Sequence, residues 1–491
     1  MAASARGGWT PGAQDLARVL EEQNPWFQTG EVPAELAHSQ ERFLARRLHE
    51  RLVADEPHRF HFLIGPRRVG KTTAMYQTVR HLLAAGVPAH QIAWLNLAHP
   101  LLLDVPLGHL VRGFLESRPA PPMYFCLDEL SYADSWDLWL KDLFDRKLPV
   151  RIVATSSATA ILHDRRHESG VGRWQEHLMP PYLFGEYLDL LGLPAAIEIA
   201  PTLAETLANL CSRPPRPVDL RAHRQRFLLL GGFPELLLQQ GTASLDDASL
   251  LLRSQAILRS DAIQKAIYQD IPQAYGIEKP KTLERMLYML AGQIGGILKP
   301  SDLSKSLELT VPTFERYLQY LEHSFVVFTT PNFGGGEEAI QRRGRKLYFV
   351  DPAVRNAALL RGVGPLADLQ EMGLLLENLV VAHFYALAQA SGLRVFHWRQ
   401  GNRAEVDLVF AHPSHPVAIE VGRSPHHTKR GLHRFLEQHP EFAGNGYVVA
   451  PGASPVAARR DPAAPGVLPL ELVLVAVSAH LELEIARSLG S

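Results

Sequence analysis

Over the first third of the chain, short continuous runs of apolar residues alternate with amphipathic stretches. FHFLI (60–64), QIAWLNL (91–97), MYFCLDE (123–129) and VRIVATS (150–156) have the length and character of buried strands. Between them, TTAMYQTVRHLLAAG, residues 107–116 and SWDLWLKDLF carry apolar residues at helical spacing. Strand and helix in alternation predict a parallel sheet with right-handed crossovers. Ahead of the sheet, residues 35–53 have helical spacing and carry Arg42, Arg46, Arg47 and Arg51. Residues 1 to about 30, rich in Gly, Pro, Ala and Gln, read as a loose arm.

The rhythm changes after Pro180. Residues 182–270 read as mostly helical, broken by SRPPRPVD and by a turn, GGFPE, at 231–235. Three short helical segments follow, TLERMLYMLAGQIG, PSDLSKSLEL and TVPTFERYLQYLEHS, then strand FVVFTT, a Gly-rich tip and strand KLYFVD, the layout of a winged helix. From residue 352 a long helix, LADLQEMGLLLENLVVAHFYALAQ, leads into strands RVFHW, AEVDLVF and VAIEVG, helix TKRGLHRFLEQH and strand GYVVA. The Pro-rich SPVAARRDPAAPG reads as a surface loop. The expected division is an N-terminal arm and helix (1–58), an α/β core (59–181), a helical lid (182–275), a winged helix (276–351) and a second α/β domain (352–491). A chain of 491 residues has room for about three or four domains at roughly 150 residues each.

Composition narrows the function classes. With 46% hydrophobic and 21% charged residues the chain is of soluble globular type. A net charge of −1 supplies no global field toward nucleic acid or anionic lipid, so any such contact is local. Two cysteines, Cys126 and Cys211, exclude a disulfide scaffold or a zinc ribbon and fit a reducing cytoplasm. The N-terminus lacks a secretory apolar core, and the apolar runs fall short of the ~20 residues of a membrane span, so no membrane partner is expected.

The segment Gly65-Pro66-Arg67-Arg68-Val69-Gly70-Lys71-Thr72 fits G-x-x-x-x-G-K-[ST] and lies between an apolar strand and an amphipathic helix. Its glycines let backbone N–H groups turn inward onto phosphate oxygens, at the positive end of the helix that continues through Thr73. Lys71 is placed to reach the β- and γ-phosphates of ATP, and Thr72 to hold Mg2+. MYFCL delivers Asp128 and Glu129 to the carboxyl end of a buried strand, where parallel sheets bind ligands. Asp128 is the candidate magnesium ligand through water, and Glu129 the group that orients or deprotonates the attacking water. Thr155, Ser156 and Ser157 end the next strand; Ser156 is a candidate γ-phosphate sensor, with a capping role as the alternative. Arg173, in Gly170-Val171-Gly172-Arg173, is either an arginine finger, acting within the chain or from a neighbouring subunit, or a surface ion-pair partner.

Taken together, GPRRVGKTT (65–73), LDEL (127–130), the TSS cluster, GVGRW followed by PPYLFGEYL, GGFPE, KLYFVD (346–351), LLLENLV (374–380), AEVDLVF (404–410) and AIEV (418–421) resemble a known group. These are prokaryotic AAA-type P-loop ATPases, related to the archaeal ATPase clade, that carry a C-terminal restriction-endonuclease-like domain. The resemblance runs in order along nearly the whole chain from about residue 40 and implies ATP hydrolysis by Lys71, Thr72, Asp128 and Glu129. It also places the GGFPE turn, with Pro234, near the base of the nucleotide; the residues alone read as a tight turn.

Glu377, Asp407 and Glu420 can converge on a divalent metal, a possible second metal site. Nucleases of the restriction-endonuclease type add a lysine two residues after the last acid, but here that place is Gly422, and Arg423 beside it is a poor proton shuttle. A structural or DNA-holding role for the domain is the alternative to cleavage, and buried acids bonded to backbone N–H groups are another reading. In the winged-helix segment, Arg316 on the recognition helix and Arg342, Arg343, Arg345 and Lys346 on the wing are candidate phosphate contacts, although acidic residues nearly balance them. The expected protein is thus an oligomeric, cytoplasmic ATPase coupling ATP turnover to DNA binding or remodelling. Its rivals are a signalling or scaffold switch that recruits protein partners, and an ATP-gated nuclease.

Overall fold

In the computed structural model, the described residues are 12–54, 58–117, 122–156, 172–193, 197–216, 218–239, 248–401, 404–424, 430–456 and 464–490. Ser157, Gly170, Val171 and residues 457–463 of the Pro-rich loop lie outside them.

The four apolar runs form strands β1 (Phe60–Ile64), β2 (Ile92–Asn96), β3 (Met123–Asp128) and β4 (Val150–Thr155). A fifth, β5 (Trp174–Leu178), completes an all-parallel sheet in the order β2-β3-β4-β1-β5. The apolar runs did not announce β5, because WQEHL lies at the sheet edge with four of its five residues only half-buried. Helices Lys71–Ala84, Leu107–Ser117 and Trp136–Asp145 make the crossovers. Phe62, Leu95, Phe125, Ile152, Val111 and Leu140 fill one continuous core, each fully buried large side chain contributing about 1.5–3 kcal/mol.

Residues 12–30 of the expected loose arm are folded. Helices Ala13–Gln23 and Trp26–Thr29 lie against the sheet, with Val19 in the core and Trp26 fully buried. Gly12, Pro25 and Gly30 mark the ends of these helices: Gly30 takes φ 73° and closes the second one by donating to the Trp26 carbonyl. The helix expected over residues 35–53 begins later, at Phe43, and runs to Val53.

The chain forms two compact units, the first comprising Met1–Gly65 and Gly70–Met179, the second Pro180–Ser488 together with Pro66–Val69. Residues 180–488, expected to be three domains, fall within the second unit. Within it, helices Pro280–Ala291, Pro300–Ser306 and Val311–His323 precede an antiparallel pair, β6 (Val327–Thr330) and β7 (Lys346–Phe349), the order expected of that segment. The connection between these strands carries a short helix, Glu337–Arg342, after its glycines. A mixed sheet follows, β8 (Val395–Gln400), β9 (Ala404–Phe410), β10 (Val417–Val421), β11 (Gly446–Ala450) and β12 (Gly466–Pro469), ordered β12-β11-β10-β9-β8. Only the β10–β11 and β11–β12 pairings are parallel. Helix Leu369–Ala390 is long and apolar enough to cross a membrane, contrary to the reading of the apolar runs, but 72% of its most apolar window is buried inside the protein.

Candidate nucleotide site

The phosphate loop leaves the carboxyl end of β1 and enters helix Lys71–Ala84. Two glycines make this possible. Gly65 has φ 146°, and a Cβ there would stand 2.2 Å from the Met179 carbonyl oxygen; Gly70 has φ 87°. Lys71 is 6% exposed, and its Nζ donates to the Gly65 carbonyl at 2.8 Å, bridging the base of the loop. Thr72 is exposed at the first turn, its Oγ1 3.2 and 3.3 Å from the two carboxylate oxygens of Asp128.

Asp128 ends β3 at 5% exposure. Burial, then the neighbouring Glu129, push its carboxyl up to about 7, against the Thr72 hydrogen bond and the Lys71 charge that favour the anion. A buried acid held this high is poised to be ionised by a cation, and hydroxyl plus carboxylate oxygen is the donor chemistry a hard Mg2+ ion takes. Glu129 follows in a left-handed conformation, φ 56°, which turns its half-buried side chain away from the strand direction. Ser156 is fully buried at the end of β4, beside β1 in the sheet, and donates to the Ser131 Oγ at 2.8 Å just beyond the Asp128-Glu129 pair. The sheet thus brings Lys71, Thr72, Asp128, Glu129 and Ser156 to one edge.

Arg173 is not among them. It precedes β5, and its carbonyl accepts from Phe60 N at the amino end of β1, the end opposite the phosphate loop. Its guanidinium pairs with Asp145 at 2.8 Å. Parallel pairing of β5 with β1 fixes this, so Arg173 does not serve its own chain's phosphate site, and the ion-pair reading holds within the subunit.

Pro66, Arg67, Arg68 and Val69 form the crown of the loop. Arg67 is forked onto Asp270, with Nε to Oδ2 at 2.6 Å, and Arg68 pairs with Glu235 and Asp261. Arg68 holds φ 65°, a left-handed conformation in which glycine is at ease. Both guanidiniums of the crown are thus engaged by carboxylates. Glu235 belongs to the GGFPE turn, which is built for close approach: a Cβ on Gly232 would lie 2.2 Å from the Tyr182 carbonyl oxygen. Asp351 clamps the turn, accepting from Gly232 N at 2.7 Å through one oxygen and from Ala353 N at 2.7 Å through the other. Pro234 opens helix Pro234–Gln239 directly after it.

The C-terminal acids do assemble, around a residue that sequence reasoning placed elsewhere. Lys346 of β7, expected on a DNA-facing wing, is 2% exposed, with Nζ 2.5 Å from Glu405, 3.0 Å from Glu377 and 3.2 Å from Asp407. Burial works against this ammonium, but the Glu377, Asp407 and Glu405 carboxylates outweigh it and hold it well above the usual lysine range. Tyr348 donates to Glu377 at 2.7 Å, and Val421 N to Asp407 at 2.9 Å. Burial followed by Asp407 raises Glu377 to about 7 and Glu420 to about 10. Among the described residues no group of three or more His, Cys, Asp or Glu is disposed to hold a metal ion. The expected second metal site at Glu377, Asp407 and Glu420 is instead a carboxylate box with a lysine at its centre, because β7 carries Lys346 into it. Of the remaining wing residues, Arg345 pairs with Glu315 at 2.6 Å, Arg343 donates to the Gly334 carbonyl at 2.9 Å, and Arg316 is exposed.

Three family matches fall on this architecture. Residues 57–188 match the family described as AAA domain, residues 221–364 a domain of unknown function (DUF8612), and residues 372–471 another domain of unknown function (DUF4143). The parallel sheet and the phosphate loop fall within the segment that matches the AAA domain. The endonuclease likeness of the C-terminal sheet has no such support. Among relatives, the chain is 23% identical over 385 residues to the uncharacterized protein MJ1637 of Methanocaldococcus jannaschii, covering 75% of this chain and 76% of the relative. It is 24% identical over 373 residues to the uncharacterized protein Rv2008c of Mycobacterium tuberculosis, covering 74% and 70%. Solved structures with some likeness are Cdc6p from Pyrobaculum aerophilum (14% identity, TM-score 0.26, 70% of this chain and 99% of that one) and C. elegans PCH-2 (16%, 0.22, 44% and 59%).

Proposed function

We propose that this protein hydrolyses ATP at the edge of the β1–β5 sheet and uses the turnover to bind or remodel DNA. The observation that carries the ATPase reading is the constellation of Lys71, Thr72 and Asp128: a buried ammonium at the base of the loop, and a hydroxyl 3.2 Å from a buried carboxylate. The loop's N–H groups and Lys71 bind the phosphates, Lys71 exchanging the Gly65 carbonyl for a phosphate oxygen. Thr72 and Asp128 hold Mg2+, which when bound neutralises charge on the β- and γ-phosphates. Glu129 orients water and takes its proton, and Ser156 sits where it can register the γ-phosphate.

The DNA reading is supported by the three-helix and β6–β7 segment with exposed Arg316 and Arg343. Burial of Lys346 narrows that surface to fewer charges than the sequence offers. An arginine supplied in trans would require a homo-oligomer, and Arg173 is available to a neighbour only by giving up Asp145. The test is ATP hydrolysis by the purified protein with and without single-stranded, duplex and branched DNA, with Lys71→Ala and Glu129→Gln as controls. Stimulation by one form, lost in both variants, supports the reading; hydrolysis indifferent to every DNA returns the output to a protein-partnered switch, and absence of hydrolysis refutes it altogether.

A further inference from the structure

β2 is the edge strand of the parallel sheet, and in a strand alternate residues turn their N–H and C=O to the same side. Ala93 and Leu95 face β3; Ile92, Trp94 and Asn96 face outward. Ile92 N donates to the Ala89 carbonyl and the Asn96 carbonyl accepts from His99 N; the other four outward groups are satisfied by side chains of the N-terminal arm. Asn24 accepts from Trp94 N at 2.5 Å and donates to the Trp94 carbonyl at 2.9 Å, so one amide reproduces both bonds of a neighbouring strand. Trp26 Nε1 donates to the Ile92 carbonyl at 2.8 Å, and Gln23 Oε1 accepts from Asn96 N at 2.9 Å. Asn24 and Trp26 are both fully buried. The Trp26 ring stands edge-on to Tyr76, which in turn stacks on Trp94 at 3.7 Å between centroids.

The arm is helical on both sides of this contact, so its own backbone is spent internally and it adds no strand. The sheet ends there. Without the arm, β2 would present open hydrogen-bonding groups on a segment, IAWLN, that carries neither charge nor proline, the devices by which exposed edges are usually protected.

We propose that Gln23, Asn24 and Trp26 are an edge guard: a side-chain replica of a strand that keeps β2 from pairing with β2 of a second copy of this chain. The partner follows from symmetry, since two identical open edges related by a two-fold axis meet antiparallel and satisfy each other. The guard does not depend on the ATPase reading.

The test uses the full chain carrying Asn24→Ala, and separately Asn24→Ala with Trp26→Ala, read by residue-resolved hydrogen exchange and by sedimentation velocity over a range of concentrations. The expected result is that the Trp94 amide exchanges at least about tenfold faster in Asn24→Ala while the Ala93 and Leu95 amides keep their protection, and that the double variant forms a concentration-dependent dimer absent from the wild type. Unchanged Trp94 protection overturns the proposal, and so does an opened Trp94 amide in variants that sediment as the wild type at every concentration. Loss of Ala93 and Leu95 protection in both variants also overturns it, because the arm would then be part of the folding core and not a guard upon it.

Discussion

Asp128→Asn should make the nucleotide-free protein more stable while removing its activity. The carboxyl is 5% exposed and raised from 3.8 to about 7, so an ionised Asp128 in the folded state at pH 8 costs on the order of 4 kcal/mol relative to one in solvent. Asparagine has the same shape and no charge. Because the folded-state value is raised, the wild type is unpenalised below about pH 4, where both states hold the proton, and loses stability progressively as pH rises through 7. The variant's advantage should therefore be near zero at pH 4, grow through pH 6, and level off above pH 7, at about 2–4 kcal/mol once relaxation of the site is allowed for. Urea titrations in the presence of a chelator, followed by tryptophan fluorescence, read the right unit, since Trp26, Trp94, Trp136, Trp139 and Trp174 all lie in it. Mg2+ and ATP at a thousand times Kd should cancel that advantage, because the wild type alone gains ligand stabilisation, about 4.1 kcal/mol. ATP turnover in the variant should fall by ~10²-fold or more. A variant no more stable than wild type at pH 8, or equally advantaged at pH 5 and pH 8, would refute the argument from burial.

Gly65→Ala forces a methyl to 2.2 Å from the Met179 carbonyl, so fluorescent-nucleotide titration should show affinity weakened by at least about tenfold with the sheet intact by circular dichroism. Gly232→Ala drives a Cβ against the Tyr182 backbone and loosens the Asp351 clamp; calorimetry should show the second unit destabilised by about 3 kcal/mol. Lys346→Met removes the cation from Glu377, Glu405 and Asp407 and should cost about 3–5 kcal/mol at pH 8. That loss should shrink toward pH 5, since acids with raised folded-state values regain stability as they take up protons.

What the sequence showed and what it hid divide along a physical line. The phosphate loop is legible because all its determinants are local: two glycines, a lysine and a threonine inside eight residues, between a strand and a helix. Asp128 and Glu129 were legible because β3 is buried on both faces and reads as an unbroken apolar run. β5 is hidden because an edge strand has little apolar pattern to show, and the helices of the arm because its Gly, Pro and Gln content obscures the i, i+3, i+4 spacing of Leu16, Val19 and Leu20. Arg173 and Lys346 stood out as basic residues, but which carboxylates receive them depends on strand pairing across long separations, as with Arg173 to Asp145 and Lys346 to Glu377. The helix, turn and hairpin order after residue 280 is readable from local spacing; which elements share the second unit is not, since surfaces between neighbouring elements look in sequence like any other apolar face.

Asp351 bears on how this chain can be cut. A single carboxylate caps helix Pro352–Leu359 and holds the Gly232 amide, so positions 119 apart in sequence share one buried acid that burial raises to about 6. An expressed fragment ending before residue 346 would keep GGFPE without the group that shapes it, and one beginning after residue 240 would leave the acid only the Ala353 amide to accept from. Dissection of the second unit should therefore preserve both partners, and inherited insertions or deletions should be tolerated more readily in the loops around them than between these two atoms' backbones.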